Sequence, residues 1–298
     1  MRVLNFGSIN IDTVFSVPHF VRPGETIAAA RVQKFAGGKG ANQSVALARA
    51  GATVCHAGRI GTDGEWVLEM LRSFGVDTSL VALDAEQRTG SAFIQIDPAG
   101  QNAIVLDAGA NHAVSSDQSV AALAGFAPGD VLLLQNEVNG VPALIAAGRE
   151  RGLTIAFNPA PMTTAVNSYP LDLVDVLIVN ELEAEALTGT SDPTAALKRL
   201  PGHERLITLG ARGAIAFDGH AEFAAAAPRV QPVDTTAAGD TFIGYWLASR
   251  LGGKSIPQAM AIACAAAAVC VSRAGAMQSI PTMDEVLDSS PLIGPPGG

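Results

Sequence analysis

The chain has 298 residues, 48% hydrophobic, 16% charged and 5% aromatic, with a formal net charge of −9. That length supports one large domain, or one large and one small, around a core built from aliphatic side chains. The acidic balance without a basic patch excludes nucleic acid as the main partner. A protein of this charge that handles phosphates must neutralise them locally, with helix ends, a few basic side chains and metal ions.

Taken in chain order, residues 1–7 read as a strand over 3–6 and not as a signal peptide. A helix over 41–50 closed by Gly51, a strand over 54–57 and a helix over 66–74 closed by Gly75 follow. The next run is a strand over 131–134, a helix over 141–151 closed by Gly152, and strands over 154–157 and 176–179. A helix over 181–187 closed by Gly189, a strand over 206–209 and long helices over 241–251 and 256–271 complete the alternation. The most apolar stretch, 259–271, is too short to span a bilayer and reads as a buried helix. Continuous apolar strands separated by helices predict a parallel sheet covered on both faces. Cys55, Cys264 and Cys270 are odd in number and form no Cys-x-x-Cys pair, so they read as buried thiols in a reducing cytoplasm.

Two segments break the rhythm. Residues 13–35 hold strand-like runs at 13–17 and 27–32 joined by Pro23-Gly24-Glu25, and residues 90–106 hold runs at 91–96 and 103–106 joined by Asp97-Pro98-Ala99-Gly100. Both read as hairpins that form a small sheet over the carboxyl ends of the main strands, the edge where open α/β sheets bind ligands. Such a sheet serves as a lid, as a dimer surface, or as decoration. The Pro/Gly-rich residues 291–298 read as a frayed tail.

Several local patterns carry chemistry, each with a plainer alternative. Residues 233–242, Val-Asp-Thr-Thr-Ala-Ala-Gly-Asp-Thr-Phe, lead into a helix whose small first residues leave backbone N–H groups open to an anion. Asp240 there is either a helix cap or a base that deprotonates a nucleophile attacking a phosphate. Gly37-Gly38-Lys39-Gly40-Ala41-Asn42 is either a ligand-approaching loop with Lys39 and Asn42 as donors or a Gly-Gly turn capping a helix; it is not a Walker A loop. Asn10 and Asp12, after the first strand, either share a face toward vicinal sugar hydroxyls or close an Asx turn. Asn180 and the acids Glu181, Glu183 and Glu185 either cap a helix or lie beside a water-held Mg²⁺, and Glu137 is another acid at a strand end. Thr208, Gly210, Arg212 and Gly213 form a tight turn that can meet nucleotide phosphates or simply join two strands.

The order of these motifs is more specific than any one of them. Gly-Ser-Ile-Asn-x-Asp at 7–12, Pro-Gly-Glu-Thr at 23–26, Gly-Gly-Lys-Gly-Ala-Asn at 37–42, Ala-Gly-Ala-Asn at 108–111, Asn-Pro-Ala-Pro at 158–161, Asn-Glu-x-Glu-Ala-Glu at 180–185, Thr-Leu-Gly-x-Arg-Gly at 208–213 and Asp-Thr-x-Ala-Ala-Gly-Asp-Thr-Phe at 234–242 together resemble the ribokinase family of the PfkB superfamily of sugar kinases. The resemblance runs from residue 3 to about residue 282. It implies a three-layer α/β/α sandwich with a small β-sheet lid, one kinase domain over 1–288 and a tail over 289–298.

The resemblance also implies transfer of phosphate from ATP to the 5-hydroxyl of D-ribose, or to another sugar or a nucleoside. A non-catalytic sugar or nucleotide sensor is the reading from another class. Asp240 would be the base, with Ala237, Ala238 and Gly239 forming the anion hole. Asn10, Asp12, Gly38, Lys39, Asn42 and Glu137 would hold the sugar. Asn180, Thr208, Gly210, Arg212, Gly213 and Cys264 would line the ATP site, with Glu183 near a water-bound Mg²⁺. Asp234, Thr236, Cys270, Arg273, Gly275 and Ser279 occupy the positions that hold a monovalent cation, usually K⁺, in that family. Cys264 departs from the His often found near the adenine, and Ile11 from a smaller residue in Asn-x-Asp. A cytoplasmic homodimer joined through the lid completes the expectation, with no nucleic-acid or membrane partner.

Overall fold

A computed structural model describes residues 1–289. In chain order the elements are β1 (Val3–Phe6), β2 (Asn10–Ser16), β3 (Arg31–Gly37), α1 (Lys39–Arg49), β4 (Val54–Gly61), α2 (Glu65–Ser73), β5 (Asp77–Asp84), β6 (Gly90–Ile96), β7 (Asn102–Asp107), α3 (Ser116–Ala124), β8 (Val131–Gln135), α4 (Val141–Glu150), β9 (Thr154–Asn158), β10 (Val176–Asn180), α5 (Glu181–Thr188), α6 (Pro193–Arg199), β11 (Glu204–Thr208), β12 (Ala214–Phe217), β13 (Glu222–Ala225), α7 (Ala238–Leu251), α8 (Ile256–Val271) and α9 (Met283–Asp288).

Nine strands form one sheet in the order β13-β12-β11-β10-β9-β8-β1-β4-β5. The pairs from β11 across to β5 are parallel, and β12 and β13 add an antiparallel edge. Side chains alternate between two cores. Val3, Val131, Leu133 and Ile178 face α1, α2, α7 and α8, whereas Leu4, Leu132, Leu134 and Leu177 face α3, α4, α5 and α6. Burial on both faces is why these strands read as unbroken apolar runs, and it gives a three-layer α/β/α sandwich.

The chain runs outward from β1 in both directions, toward β4 on one side and β8 on the other. A reversal of this kind leaves a crevice at the carboxyl ends of the strands. The segment after β1 (Gly7–Ile9) and the segment after β8 (Asn136, Glu137) both open there.

A second sheet, β3-β2-β6-β7, stands off this edge. Strand β2 pairs antiparallel with β3 and parallel with β6, and β6 pairs antiparallel with β7, so two hairpins lie side by side. The second strand of the first hairpin is Arg31–Gly37 and not 27–32, because pairing runs from Asn10↔Gly37 to Ser16↔Arg31 and leaves 17–30 as a long connection. The alanine-rich 28–30 lacks the branched and aromatic side chains that favour a pleated surface, whereas Val32 and Phe35 supply them. Strand β5 and helices α3, α6 and α9 were not anticipated, although Asp192 followed by Pro193 is a clear helix-start signal for α6. The tail expected over 289–298 lies outside the described residues beyond Ser289.

Candidate active site

Helix α1 begins where the carboxyl edge is most crowded. Its N-cap is Gly38, with φ of 95°, and a Cβ there would lie 2.9 Å from the Ser8 carbonyl oxygen. A Cβ at Gly40 would lie 2.5 Å from the Ser8 nitrogen and 2.6 Å from the Gly7 Cα. These approaches involve backbone on both sides, so only glycine lets α1 press its first turn against the turn after β1. Glu137 joins the two segments, accepting from the Ser8 hydroxyl at 2.5 Å and the Lys39 backbone N–H at 3.1 Å.

Asp12 and Asn10 project from β2 on the same side. The Asp12 carboxylate lies over Gly37, where a Cβ would come within 2.6 Å of all three carboxyl atoms. Burial, and then the nearby Glu137 carboxylate, push the Asp12 pKa up to about 7. Asn10 accepts from the Asn111 Nδ2 at 2.7 Å, while Asn111 Oδ1 accepts the Ile9 N–H at 3.0 Å. That use of its oxygen leaves the Asn10 Nδ2 as a donor.

Helix α7 begins at Ala238, after Ala237 in the left-handed region with φ of 61°. The first-turn N–H groups of such a helix have no intrahelical partner and carry the positive end of its dipole. Space in front of Gly239 is open, since a Cβ there would meet nothing within 4 Å. The Ala238 N–H turns back toward the Thr235 carbonyl at 3.3 Å. Asp240 is 8% exposed. Its two oxygens accept from Gln43 Nε2 at 2.9 Å and Asn42 Nδ2 at 3.0 Å, both side chains of α1. The Asn42 Oδ1 is buried with no partner, an acceptor left for a ligand.

Lys39 draws the acids together. Burial pulls its pKa down, and the carboxylates of Asp240, Glu137 and Glu183 more than offset that, leaving it above the ordinary lysine value. Burial raises the Glu183 pKa, partly countered by the Asn180 backbone N–H and Lys39. Asn180 is the N-cap of α5 in a reciprocal box: its Oδ1 accepts the Glu183 N–H at 2.9 Å, and its backbone N–H and Nδ2 donate to the Glu183 carboxylate at 2.9 Å each.

Thr208 ends β11 directly opposite Asn180 on β10, and the turn Gly210–Arg212 follows. Gly213 has φ of 102° and passes so near β13 that a Cβ would overlap the Ala225 carbonyl. Arg212 is turned to an ion pair with Glu181. Cys264 is buried on α8, its Sγ 4.0 Å from the Ala225 carbonyl, and burial pushes its thiol up to about 12. These residues line the same sheet edge as Asp240, but Arg212 is engaged elsewhere and Cys264 is covered.

Behind Asp240 the loop at 271–279 is gathered around Asp234. The Asp234 carboxylate accepts the Thr236 N–H at 2.9 Å and the Gly275 N–H at 3.1 Å. Cys270 Sγ lies 3.1 Å from the Ser279 hydroxyl and 3.8 Å from the Thr236 carbonyl, and Arg273 pairs with Glu285 of α9 at 2.8 Å.

The motif reading gave no role to Gln43, Gln135, Asn5 or Asn158, the last of which opens the Asn-Pro-Ala-Pro run; all four are buried and hydrogen-bonded beneath the site. The signal was present: Asn5 interrupts the apolar β1, and Gln135 and Asn158 are paired neighbours at the ends of β8 and β9.

The family described as pfkB family carbohydrate kinase matches the chain over residues 2–283. A ribokinase from Haemophilus influenzae is 39% identical, covering 95% of this chain and 96% of its own. One from Staphylococcus aureus is 36% identical, covering 96% and 98%. The structure of Arabidopsis thaliana ribokinase complexed with ribose and ATP superposes with a TM-score of 0.88 at 30% identity, covering 99% of both chains. The chain belongs to the PfkB family of carbohydrate kinases, ATP-dependent phosphotransferases that act on a hydroxyl group.

Proposed function

We propose that the protein transfers the γ-phosphoryl group of ATP to the 5-hydroxyl of D-ribose, giving ribose 5-phosphate and ADP. The observation that carries this reading is the Asp240 carboxylate, pinned by two amide donors at the open first turn of α7 and facing the charge cluster of Lys39. Asn10, Asp12, Gly38, Lys39, Asn42 and Glu137 hold the sugar. A carboxylate takes two O–H bonds, and the free Asn42 Oδ1 takes another.

In the transfer step the 5-hydroxyl proton passes to Asp240. The oxygen's electron pair forms the new bond to the γ-phosphorus as the bond to the β–γ bridging oxygen breaks, and that oxygen leaves on ADP. Phosphoryl transfer needs alignment and charge neutralisation more than covalent help, and the amides of Ala237 and Gly239 supply donors where charge develops, joined by that of Ala238 when it leaves the Thr235 carbonyl. Asn180, Thr208, Gly210, Arg212 and Gly213 receive the nucleotide, and the buried Cys264 packs behind them against the Ala225 carbonyl.

Mg²⁺ fits Glu183 through water. Both Glu183 oxygens already accept from Asn180, which leaves lone pairs for water molecules but no bare carboxylate for direct ligation. The carboxylate of Asp234 and the carbonyl groups at Thr236, Cys270, Arg273 and Gly275, with Ser279, are hard oxygen donors that suit K⁺. When bound, the two ions neutralise phosphate charge and stiffen the turn before α7. The small sheet is the lid and the surface of a homodimer: on its edge strand β7, Ile104, Val105 and Leu106 are each more than half exposed. The three thiols are free, as suits a cytoplasmic protein, and no helix among the described residues is long and apolar enough to cross a membrane.

The test is coupled ADP release across pentoses, hexoses and nucleosides, with K⁺ and with a large organic cation in its place. Ribose has the highest kcat/KM, K⁺ stimulates, and Asp240→Asn lowers kcat by about a hundredfold or more with sugar binding kept. Near-normal turnover in that variant removes Asp240 from the mechanism, a preferred hexose or nucleoside replaces the substrate, and a monomer by light scattering removes the dimer.

A further inference from the structure

Beneath Asp240 lies a chain of side-chain amides whose orientation is set from far away. Asn5 donates through Nδ2 to the Gly40 carbonyl at 2.7 Å and to the Ser44 hydroxyl at 2.8 Å. A backbone carbonyl can only accept, so Asn5 cannot turn over, and its Oδ1 must face away. That Oδ1 accepts from Gln135 Nε2 at 2.9 Å, and the same Nε2 donates to Gln43 Oε1 at 2.7 Å. Gln43 therefore presents its NH₂ at the other end, to Asp240 Oδ1 at 2.9 Å.

A second backbone carbonyl enforces the same answer. Asn158 donates to the Ile178 carbonyl at 2.9 Å, which turns its Oδ1 toward Gln43 Nε2 at 3.3 Å. Asn5, Gln43 and Gln135 have no exposed surface, so water cannot relax the pattern.

We infer that Gln43 is a positioning residue for the phosphoryl-transfer step: locked by the Asn5–Gln135 chain and by Asn158, it offers Asp240 Oδ1 a donor that cannot become an acceptor. The inference rests on Asp240 being the base. It assigns the proton-accepting atom. A proton on Oδ1 would have to share that oxygen with a donor locked in place, whereas the donor to Oδ2, Asn42 Nδ2, belongs to an amide whose other end no protein group holds. The sugar hydroxyl therefore gives its proton to Oδ2, and Oδ1 stays bonded to Gln43 throughout the cycle.

Two variants test this. Gln43→Met keeps the length and removes the donor. Gln43→Glu keeps the shape, still accepts from Gln135, and sets a second carboxylate against Oδ1, so that the pair must share a proton. The acidic limb of the kcat–pH profile is expected to move to higher pH by about one unit for Met and by about two or more for Glu. At pH 7, kcat of the Met variant falls about tenfold with KM for the sugar within about twofold of wild type, the split expected for loss of a transition-state interaction. A purely structural role lowers thermal stability without moving the profile. Should the Met variant fail to fold, the near-isosteric Glu variant carries the test alone. Profiles that overlay on wild type, with kcat within about twofold, overturn the inference. Asp240→Asn run in parallel keeps the two readings apart: if it stays active the base assignment fails, and if it is inactive while both Gln43 variants match wild type only the role of Gln43 fails.

Discussion

Along the carboxyl edge of the large sheet, the residues around β1, α1 and α7 are buried and hold one another, whereas those at the ends of β10 and β11 stand toward solvent and are held by a helix cap and a surface ion pair. On the first side Asp240, Asn42, Gln43 and Asn111 are each under a tenth exposed; the Asn42 and Gln43 amides donate hydrogen bonds to Asp240, and that of Asn111 donates to Asn10. On the second, Asn180 is spent on capping α5 and Arg212 on Glu181. The proposed sugar half is thus formed before any ligand arrives, and the proposed nucleotide half must exchange existing partners for phosphate oxygens. Pre-organised donors cost little reorganisation at the moment of reaction, so rigidity belongs where bonds change.

Moving one methyl group breaks or sustains that contrast most sharply. At Gly40 a Cβ meets backbone atoms at 2.5–2.6 Å, so Gly40→Ala must shift α1 or the turn after β1. The expected cost is about 3 kcal/mol or more by denaturant titration, with sugar affinity lost alongside. At Gly210 a Cβ meets nothing within 4 Å and only the φ of 57° resists it, so Gly210→Ala costs about 1 kcal/mol. Equal costs at the two positions would mean that the tight approach at α1 does not matter to the fold.

The second effect comes from His56, which shares a 2.8 Å hydrogen bond with Ser44 and anchors the buried side through the Gly7 carbonyl at 3.2 Å. Burial lowers its pKa to about 4. The unfolded chain takes up this proton near pH 6.5 and the native protein only near 4, so the stability is fully present above 6.5 and drains away as pH falls through that interval. The part of the loss due to His56 is about 3 kcal/mol by linkage, and His56→Gln removes that part. Asp12, with its pKa near 7, contributes stability as pH falls through the same interval and works against this loss, so the test is a comparison. A denaturation midpoint with the same pH dependence in wild type and His56→Gln would show that His56 is not neutral in the native state.

Asp12 acts next and in function. With its pKa near 7, the carboxyl is increasingly protonated below that pH and ionised above it. Only the carboxylate accepts two hydroxyl hydrogens, so KM for the sugar should fall about tenfold from pH 6 to pH 8, and Asp12→Asn should remove the slope. A KM that rises over the same range would mean that the protonated acid is the binding form.

The same contrast explains what was legible from the residues alone. Motifs that need glycine for contact or amides for anions, at 37–42 and 234–242, show their chemistry in residue type, and the structure brings Lys39, Asn42 and Asp240 together across long sequence separations. The apolar strands were readable because burial on both faces removes alternation. Gln43 and Gln135 escaped notice because their work depends on which carbonyl lies at the far end of the chain, which no local pattern records. Strand β5, by contrast, lies at the sheet edge, where its mixed pattern of exposed and buried residues resembles a loop.

The smallest effect belongs to Arg212, and its size decides whether the nucleotide half is as loosely built as it looks. The guanidinium is 63% exposed and already paired with Glu181. Reaching a phosphate means leaving one anion for another in water, where exposed pairs contribute little and salt screens them. Arg212→Ala should therefore raise KM for ATP by less than about threefold, and Glu181→Gln, which frees the guanidinium, should lower it by a similar factor. Both changes should shrink at high ionic strength, because neither partner is shielded from solvent. A tenfold or larger rise in the alanine variant that persists in high salt would place Arg212 in a desolvated contact with ATP, and the two halves of the site would then be built alike.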